Sequence, residues 1–309
     1  MIKMRKLLII SGPTAVGKTS LALKLAKRFR GELISADSRQ VYKKMDIGTG
    51  KEYSSAIPIW GYDLVFPNQE WSAAHFVKFA NRTINEILER KKLPIVVGGT
   101  GLYIKDLLRP PETLFISPNQ KLRRQLEKLD LPQLQNKLHR MNPKRFSLMN
   151  QSDRQNPRRL IRALEIVSRG VSWRRQETPH KNVLHTSLNA PLKEIDRRIK
   201  NRVATRLKQR LEPEVKTLVD KYGWNSVLST TIAYREWRPY LENKIPLAEA
   251  IETWTIHEKQ YARNQLTWFK KQPNITWFDI AAAGFPDNIV SLVKQWYYQQ
   301  YAPRPKIYH

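Results

Sequence analysis

Apolar positions along the first third of the chain follow two periods in alternation. The run Leu7-Leu8-Ile9-Ile10 is short and unbroken, as a strand covered on both faces is. Between residues 18 and 29 the apolar positions are 21, 22, 25, 26 and 29, the spacing of a helix with one buried face. A strand is expected again at 33–35, a helix at 72–91 and a strand at 94–97. In the second helix Ser72 is placed to be the N-cap, and Lys91-Lys92 complements the C-terminal end. This alternation predicts a parallel sheet covered by helices, with ligands at the carboxyl ends of its strands.

Pro110-Pro111 ends the pattern. Only helical periods follow, at 118–129, 132–140, 143–149 and 157–169, before an apolar strand at 184–190 returns to the sheet. Helices at 192–211, 213–222, 231–241 and 246–271, a strand at 275–278 and a helix at 286–300 complete the expectation, with a frayed tail at 302–309. The fold class predicted is α/β: a P-loop NTPase-like parallel sheet flanked by helices, with an inserted all-helical basic subdomain. The core comprises residues 1–112 and 184–309, and the insertion residues 113–183.

Charge sharpens the picture. Lys and Arg number 55 against 27 Asp and Glu, a net +28, and the segment from Lys121 to Lys216 holds 25 basic and 9 acidic residues. So basic an insertion points to nucleic acid. The chain has no cysteine, which excludes a disulfide framework and Cys-ligated zinc and fits a reducing compartment. The N-terminus leads directly into the first strand, leaving no room for a signal peptide, and no apolar run approaches the ~20 residues of a membrane span. The expectation is a cytoplasmic protein with no membrane association. The six histidines show no metal-ligand spacing.

The chemistry begins between the first strand and helix. Gly12-Pro13-Thr14-Ala15-Val16-Gly17-Lys18-Thr19 fits G-x-x-x-x-G-K-[ST]. A loop entering a helix there turns unpaired N–H groups toward an anion. Lys18 can reach the outer phosphate and Thr19 can offer its hydroxyl to Mg²⁺. Asp37 follows the second strand on the same sheet edge, in Asp37-Ser38-Arg39-Gln40-Val41-Tyr42. A carboxylate there can hold Mg²⁺, act as a general base, or cap the turn that starts at Ser38. The third strand ends in Gly98-Gly99-Thr100-Gly101, without the acidic residue of a nucleotide hydrolase, and Thr100 would face the phosphate cleft. In the insertion Asn156 and Pro157 open a helix on which Arg158, Arg159 and Arg162 share a face suited to phosphate oxygens. In Gln260–Lys271 the aromatics read as mostly packing, and Arg263, Lys270 and Lys271 as backbone-contact cations.

Together these segments resemble the tRNA dimethylallyltransferase (tRNA isopentenyltransferase) family. The matching stretches are Gly12–Thr19, Asp37–Tyr42 continued by Met45-Asp46-Ile47-Gly48-Thr49-Gly50-Lys51, Gly98–Tyr103, Arg158–Glu165 and Tyr261–Lys270, spread over nearly the whole chain. The resemblance implies a loop that grips dimethylallyl diphosphate rather than using ATP, with Mg²⁺. The acceptor would be the amine of adenosine 37 in a tRNA anticodon stem-loop. It implies Asp37 as the base, Thr100 near the bridging oxygen, and Lys18 and Thr19 on the diphosphate. It further implies tRNA contacts at Asp37, Ser38, Arg39, Gln40, Thr100, Arg123, Arg158, Arg159, Leu160, Ile161 and Arg162, in an enzyme that acts as a monomer. Three stretches depart from the family pattern: Arg263-Asn264-Gln265, Ala233-Tyr234-Arg235-Glu236 and Gly61-Tyr62-Asp63-Leu64-Val65. Other functions compatible with the loop are a P-loop kinase, a prenyltransferase of free adenine nucleotides, and a non-catalytic RNA-binding protein.

Overall fold

The computed structural model describes residues 5–171, 180 and 182–299. The chain divides into two compact units, Met1–Leu107 with Pro179–His309, and Leu108–Thr178. The division falls a few residues ahead of the Pro110-Pro111 break. The tail at 302–309 lies outside the described residues.

The first unit holds β1 (Lys6–Ser11), α1 (Lys18–Phe29), β2 (Gly31–Ser35), β3 (Ile59–Trp60), α2 (Ala73–Glu89), β4 (Leu93–Val97) and α3 (Gly101–Leu108). Among the described residues its strands form one sheet in the order β3-β2-β4-β1, continued by β5 (Asn182–Asn189) and β6 (Thr276–Asp279), with every pairing parallel. Leu8, Ile10, Leu33, Ile95 and Val97 meet Leu21, Leu25 and Phe29 of α1. The alternate positions Leu7, Ile9, Ile34 and Val96 are equally buried and point to the other face. That double burial is why the strands read as unbroken apolar runs. Only β3, two residues at the sheet edge, was too short to register as a pattern.

Among the described residues the basic insertion is a second unit of five short helices: α4 (Gln120–Leu126), α5 (Leu131–Met141), α6 (Pro143–Ser147), α7 (Gln151–Arg154) and α8 (Pro157–Val167). Helices this short do not sustain themselves. Each opens on an Asn or Asp whose side chain accepts a backbone N–H of the first turn: Asn119, Asp130, Asn142, Asn150 and Asn156. Leu126, Leu134, Leu138, Met149, Leu160, Ile161 and Leu164 form the unit's own core.

The chain returns to the first unit with α9 (Leu192–Lys208), α10 (Leu211–Tyr222), α11 (Arg238–Leu241), α12 (Leu247–Lys270) and α13 (Asp287–Tyr298). One expectation fails here. Instead of a helix over 231–241 there are two 3₁₀ turns, at Leu228–Thr230 and Arg235–Trp237, ahead of the short α11. Ala233 sits at φ 75°, outside helical geometry, and its N–H is held by the buried Glu236 carboxylate at 2.8 Å. Ser72 does cap α2, with His75 completing a capping box. Lys92, however, does not serve the helix end: its ammonium meets Glu32 at 2.8 Å.

Candidate phosphate and acceptor site

The P-loop leaves β1 through Gly12 at φ 135°, where a Cβ would overlap the Leu188 carbonyl, and enters α1 through Gly17 at φ 82°. No side chain caps α1, so its first amides are available to an anion. In the loop ahead of it the Thr14 N–H donates to Gln265 Oε1 at 2.8 Å, while Gln265 Nε2 donates to the Gly99 carbonyl at 3.0 Å. One buried amide of α12 thus ties the loop to the end of β4. The Lys18 ammonium folds back onto the Pro13 carbonyl at 2.6 Å. Burial, and next the nearby Arg202 charge, push Lys18 down to about 7, against the pull of Asp37 and Glu52. Burial disfavours the charged form of this lysine, and an anion in the loop would restore it.

A cavity of about 780 Å³ opens over this loop. Thr14, Ala15, Gly17, Lys18 and Thr19 line it, whereas Gly12, Pro13 and Val16 do not: Val16 is in the core and the other two shape the loop from behind. Asp37, Ser38, Arg39 and Gln40 form the facing wall. Asp37 Oδ1 accepts from the amides of Arg39 at 2.8 Å and Gln40 at 3.3 Å, so the carboxylate does cap the turn. Its Oδ2 makes no hydrogen bond among the described residues and remains open to chemistry. Gln40 is not a free contact. It receives the Ser35 hydroxyl and donates to the Thr49 and Gly50 carbonyls.

Thr100 differs from expectation. It is absent from the cavity wall, which Gly98 and Gly99 make instead, and its Oγ1 accepts the Ser38 N–H at 3.1 Å. It supports the Asp37 turn rather than facing the phosphate space. Gly98 has a steric reason to be glycine, because a Cβ there would overlap the Ala36 carbonyl.

Two further contributors shape the cavity: one that no motif marked, and one that only the family resemblance marked. The first is α9, where Arg198, Arg202 and Arg206 recur at every fourth position and all line the cavity. Arg202 Nη1 donates to Thr14 Oγ1 of the P-loop at 2.6 Å. The spacing was visible, but nothing local said which arginine was free. The second is the loop at 45–50. Its amides at Asp46, Ile47 and Gly48 all donate to the Glu214 carboxylate of α10, at 3.1, 2.8 and 3.0 Å, and the buried Tyr234 phenol donates to the same group at 2.6 Å. That anchor brings Gly48, Thr49 and Gly50 to the cavity. On α12, Tyr261 lines the cavity and Phe269 is core. Arg263 is not a free cation, because Asp196 holds it at 2.9 Å.

In the helical unit the arginines separate. Glu165, 1% exposed, takes Arg123 at 3.0 Å and Arg162 at 3.5 Å, and Arg162 also donates to the carbonyls of Thr113 and Ile116. Arg159 pairs with Asp153. Arg158 is exposed and carries no ion pair among the described residues. Leu160 and Ile161 are 0% and 7% exposed, so their side chains belong to the core of the unit and not to an RNA-facing surface.

Fold and cavity define a P-loop-type α/β protein with an anion site set opposite a carboxylate. The chain belongs to the IPP transferase family, whose profile matches residues 40–272, and the profile described as isopentenyl transferase matches residues 5–58. A tRNA dimethylallyltransferase of Carboxydothermus hydrogenoformans is 40% identical over 285 residues, covering 89% of this chain and 92% of that relative. One of Gloeothece citriformis is 34% identical over 93% of this chain and 96% of its own length. Among solved structures, the tRNA isopentenylpyrophosphate transferase of Bacillus halodurans aligns with a TM-score of 0.69 at 35% identity, over 94% of this chain and 95% of its own. A eukaryotic dimethylallyltransferase acting on tRNA aligns with a TM-score of 0.80 at 27% identity, over 94% of this chain and 77% of its own.

Proposed function

We propose that the chain is a tRNA dimethylallyltransferase. It moves the dimethylallyl group of dimethylallyl diphosphate to the exocyclic N6 amine of adenosine 37, beside the tRNA anticodon, and releases diphosphate. The observation that carries this reading is the meeting of two basic groups, Lys18 and Arg202, neither of which has a carboxylate ion-pair partner among the described residues, at a phosphate loop that faces Asp37 across one cavity. The names of the relatives supply the donor and the class of acceptor.

In the transfer the amine attacks the first carbon of the prenyl group, the carbon–oxygen bond to diphosphate breaks, and its electron pair stays on the diphosphate. The amine proton passes to Asp37. With Oδ1 held by two amides, Oδ2 is the oxygen that takes it. Such a base contributes about 10²–10⁴-fold. The larger share belongs to the α1 amides, Lys18 and Arg202, already in place where negative charge grows. Thr100 acts on this chemistry through the turn it braces.

The donor set fits Mg²⁺. Thr19 lines the cavity with a hydroxyl, and among the described residues no group of three or more His, Cys, Asp or Glu could cage a metal. Mg²⁺ is commonly held by few protein oxygens plus substrate phosphates. Bound there, it would add positive charge to the leaving diphosphate.

The basic helical unit contributes contacts to tRNA phosphates, led by Arg158, whose strength falls as salt rises. No helix among the described residues is long and apolar enough to cross a membrane. The reading has the protein acting on tRNA in the cytoplasm as a monomer. Incubation with Mg²⁺, labelled dimethylallyl diphosphate and unmodified tRNA, with AMP and ATP as controls, tests it. Label in tRNA is the expected result. Label confined to AMP, or phosphate transfer from ATP, would replace it with a free-nucleotide prenyltransferase or a kinase.

A further inference from the structure

One charged pair in the cavity wall has no part in the chemistry above. Of the three arginines spaced four apart on α9, the outer two have carboxylates of their own. Arg198 Nε donates to Glu194 at 2.6 Å, and Arg206 Nη1 donates to Glu258 of α12 at 3.0 Å. The second pair is buried, with side chains 5% and 10% exposed, and Trp254 Nε1 lies 3.4 Å from the same Glu258 oxygen. Arg202, between them, has no carboxylate partner among the described residues and bonds the P-loop.

Despite these different partners, Arg202 and Arg206 converge. Gly50 sits at φ 64°, and a Cβ on it would overlap the Nη2 atoms of both guanidinium groups, which places those atoms within about 5 Å of each other. Burial, and next the charge of Arg202, push Arg206 down to about 10. A buried ion pair is a weak source of stability, since desolvation takes back most of the attraction. Its place in the wall of an anion site gives it another use.

We propose that Glu258 sets the charge of the diphosphate site. By pairing with Arg206 it offsets the charge of a second guanidinium that already lines the cavity, so that Lys18 and Arg202 bind the donor without trapping the product. Glu258 and Arg206 are positioning residues. Tighter binding of diphosphate in ground state and product alike would add nothing to the chemical step and would slow release. The inference rests on the diphosphate reading of the cavity.

The two partners are expected to shift affinity in opposite directions. E258Q frees Arg206 toward the anion, and the dissociation constant for inorganic diphosphate falls about tenfold, the scale of one added unit charge at this range. Its kcat falls as release becomes limiting. R206M leaves the Glu258 carboxylate to capture Arg202, so diphosphate binding weakens about tenfold and the KM for the donor rises. In the double variant R206M/E258Q both charges are gone and affinity returns to near the wild-type value. Calorimetric titration of the full-length proteins with inorganic diphosphate and Mg²⁺, with melting temperatures measured alongside, reads these shifts. A purely structural pair would lower both melting temperatures without opposing effects on affinity. E258Q binding no tighter than wild type, or both single variants moving the same way, overturns the proposal. If one single variant does not fold, the sign of the other against the double variant decides. Failure of the wild-type protein to bind diphosphate would instead sink the diphosphate reading itself.

Discussion

Lys18 is expected to take up a proton when diphosphate binds. In the free protein its ammonium is desolvated, has one carbonyl at 2.6 Å and lies near the Arg202 charge, which together bring it down to about 7. Above that value the free group is largely uncharged. A diphosphate in the loop supplies the missing counter-charge and returns the group toward its ordinary value of 10.5. Binding above pH 7 therefore takes up a proton at this residue, and binding well below pH 7 takes up little. The sign follows: affinity is fullest below pH 7 and declines as pH rises, by up to about tenfold per unit, until the bound-state value is reached. In the free protein the linkage runs the other way. The unfolded chain holds this proton between about 7 and 10.5 while the folded chain does not, so Lys18 opposes folding less as pH rises through that window. The assay is titration calorimetry at pH 8 in two buffers of different ionisation enthalpy. K18R, which keeps its charge at every pH tested, is the control that removes the ionisation of diphosphate itself. Equal proton uptake by wild type and K18R would refute the argument that burial discharges Lys18.

Three further outcomes follow from particular contacts. Asp37→Asn retains an oxygen to cap the Arg39 and Gln40 amides but is no base, so turnover is expected to fall by about 10²–10⁴-fold with tRNA affinity nearly unchanged; a comparable loss in a filter-binding assay would make Asp37 a structural residue. Burial alone would raise the Glu32 carboxyl, but hydrogen bonds from Arg90, Lys92 and Trp60 outweigh it and hold the group at about 2. Its contribution is present above the ordinary value of 4.5 and lost as pH falls toward 2; Glu32→Gln should flatten denaturant-measured stability across that range, and an unchanged pH slope would count against the triad. Leu160→Ala opens a cavity in the helical unit and should cost it about 2–5 kcal/mol in denaturation, while inorganic diphosphate still binds the other unit.

Much of the fold could be read along the chain because its signals are local. The unbroken apolar runs of β1, β2 and β4 reflect strands covered on both faces, and the caps at Ser72 and Asn156 act within one turn. Reading failed in two ways. The segment at 231–241 has a helical period, but a local contact, the Glu236 carboxylate on the Ala233 amide three residues back, breaks it. Thr100 follows the Gly98-Gly99 strand end that lines the cavity, yet its oxygen accepts the N–H of Ser38, 62 residues away.

The anion loop, the strand-to-helix order around it, the Asp37 turn and the basic helical insertion were all determined by neighbouring residues, through backbone sterics, periodicity and capping. The tertiary structure alone decided which cations are free to meet a substrate. Arg202 and Arg206 look alike on α9, but the carboxylate that claims Arg206 lies on α12, 52 residues further along. Arg263 looks available until Asp196, 67 residues away, takes it. Charge pairing depends on distance in space, and a sequence orders residues only by distance along the chain.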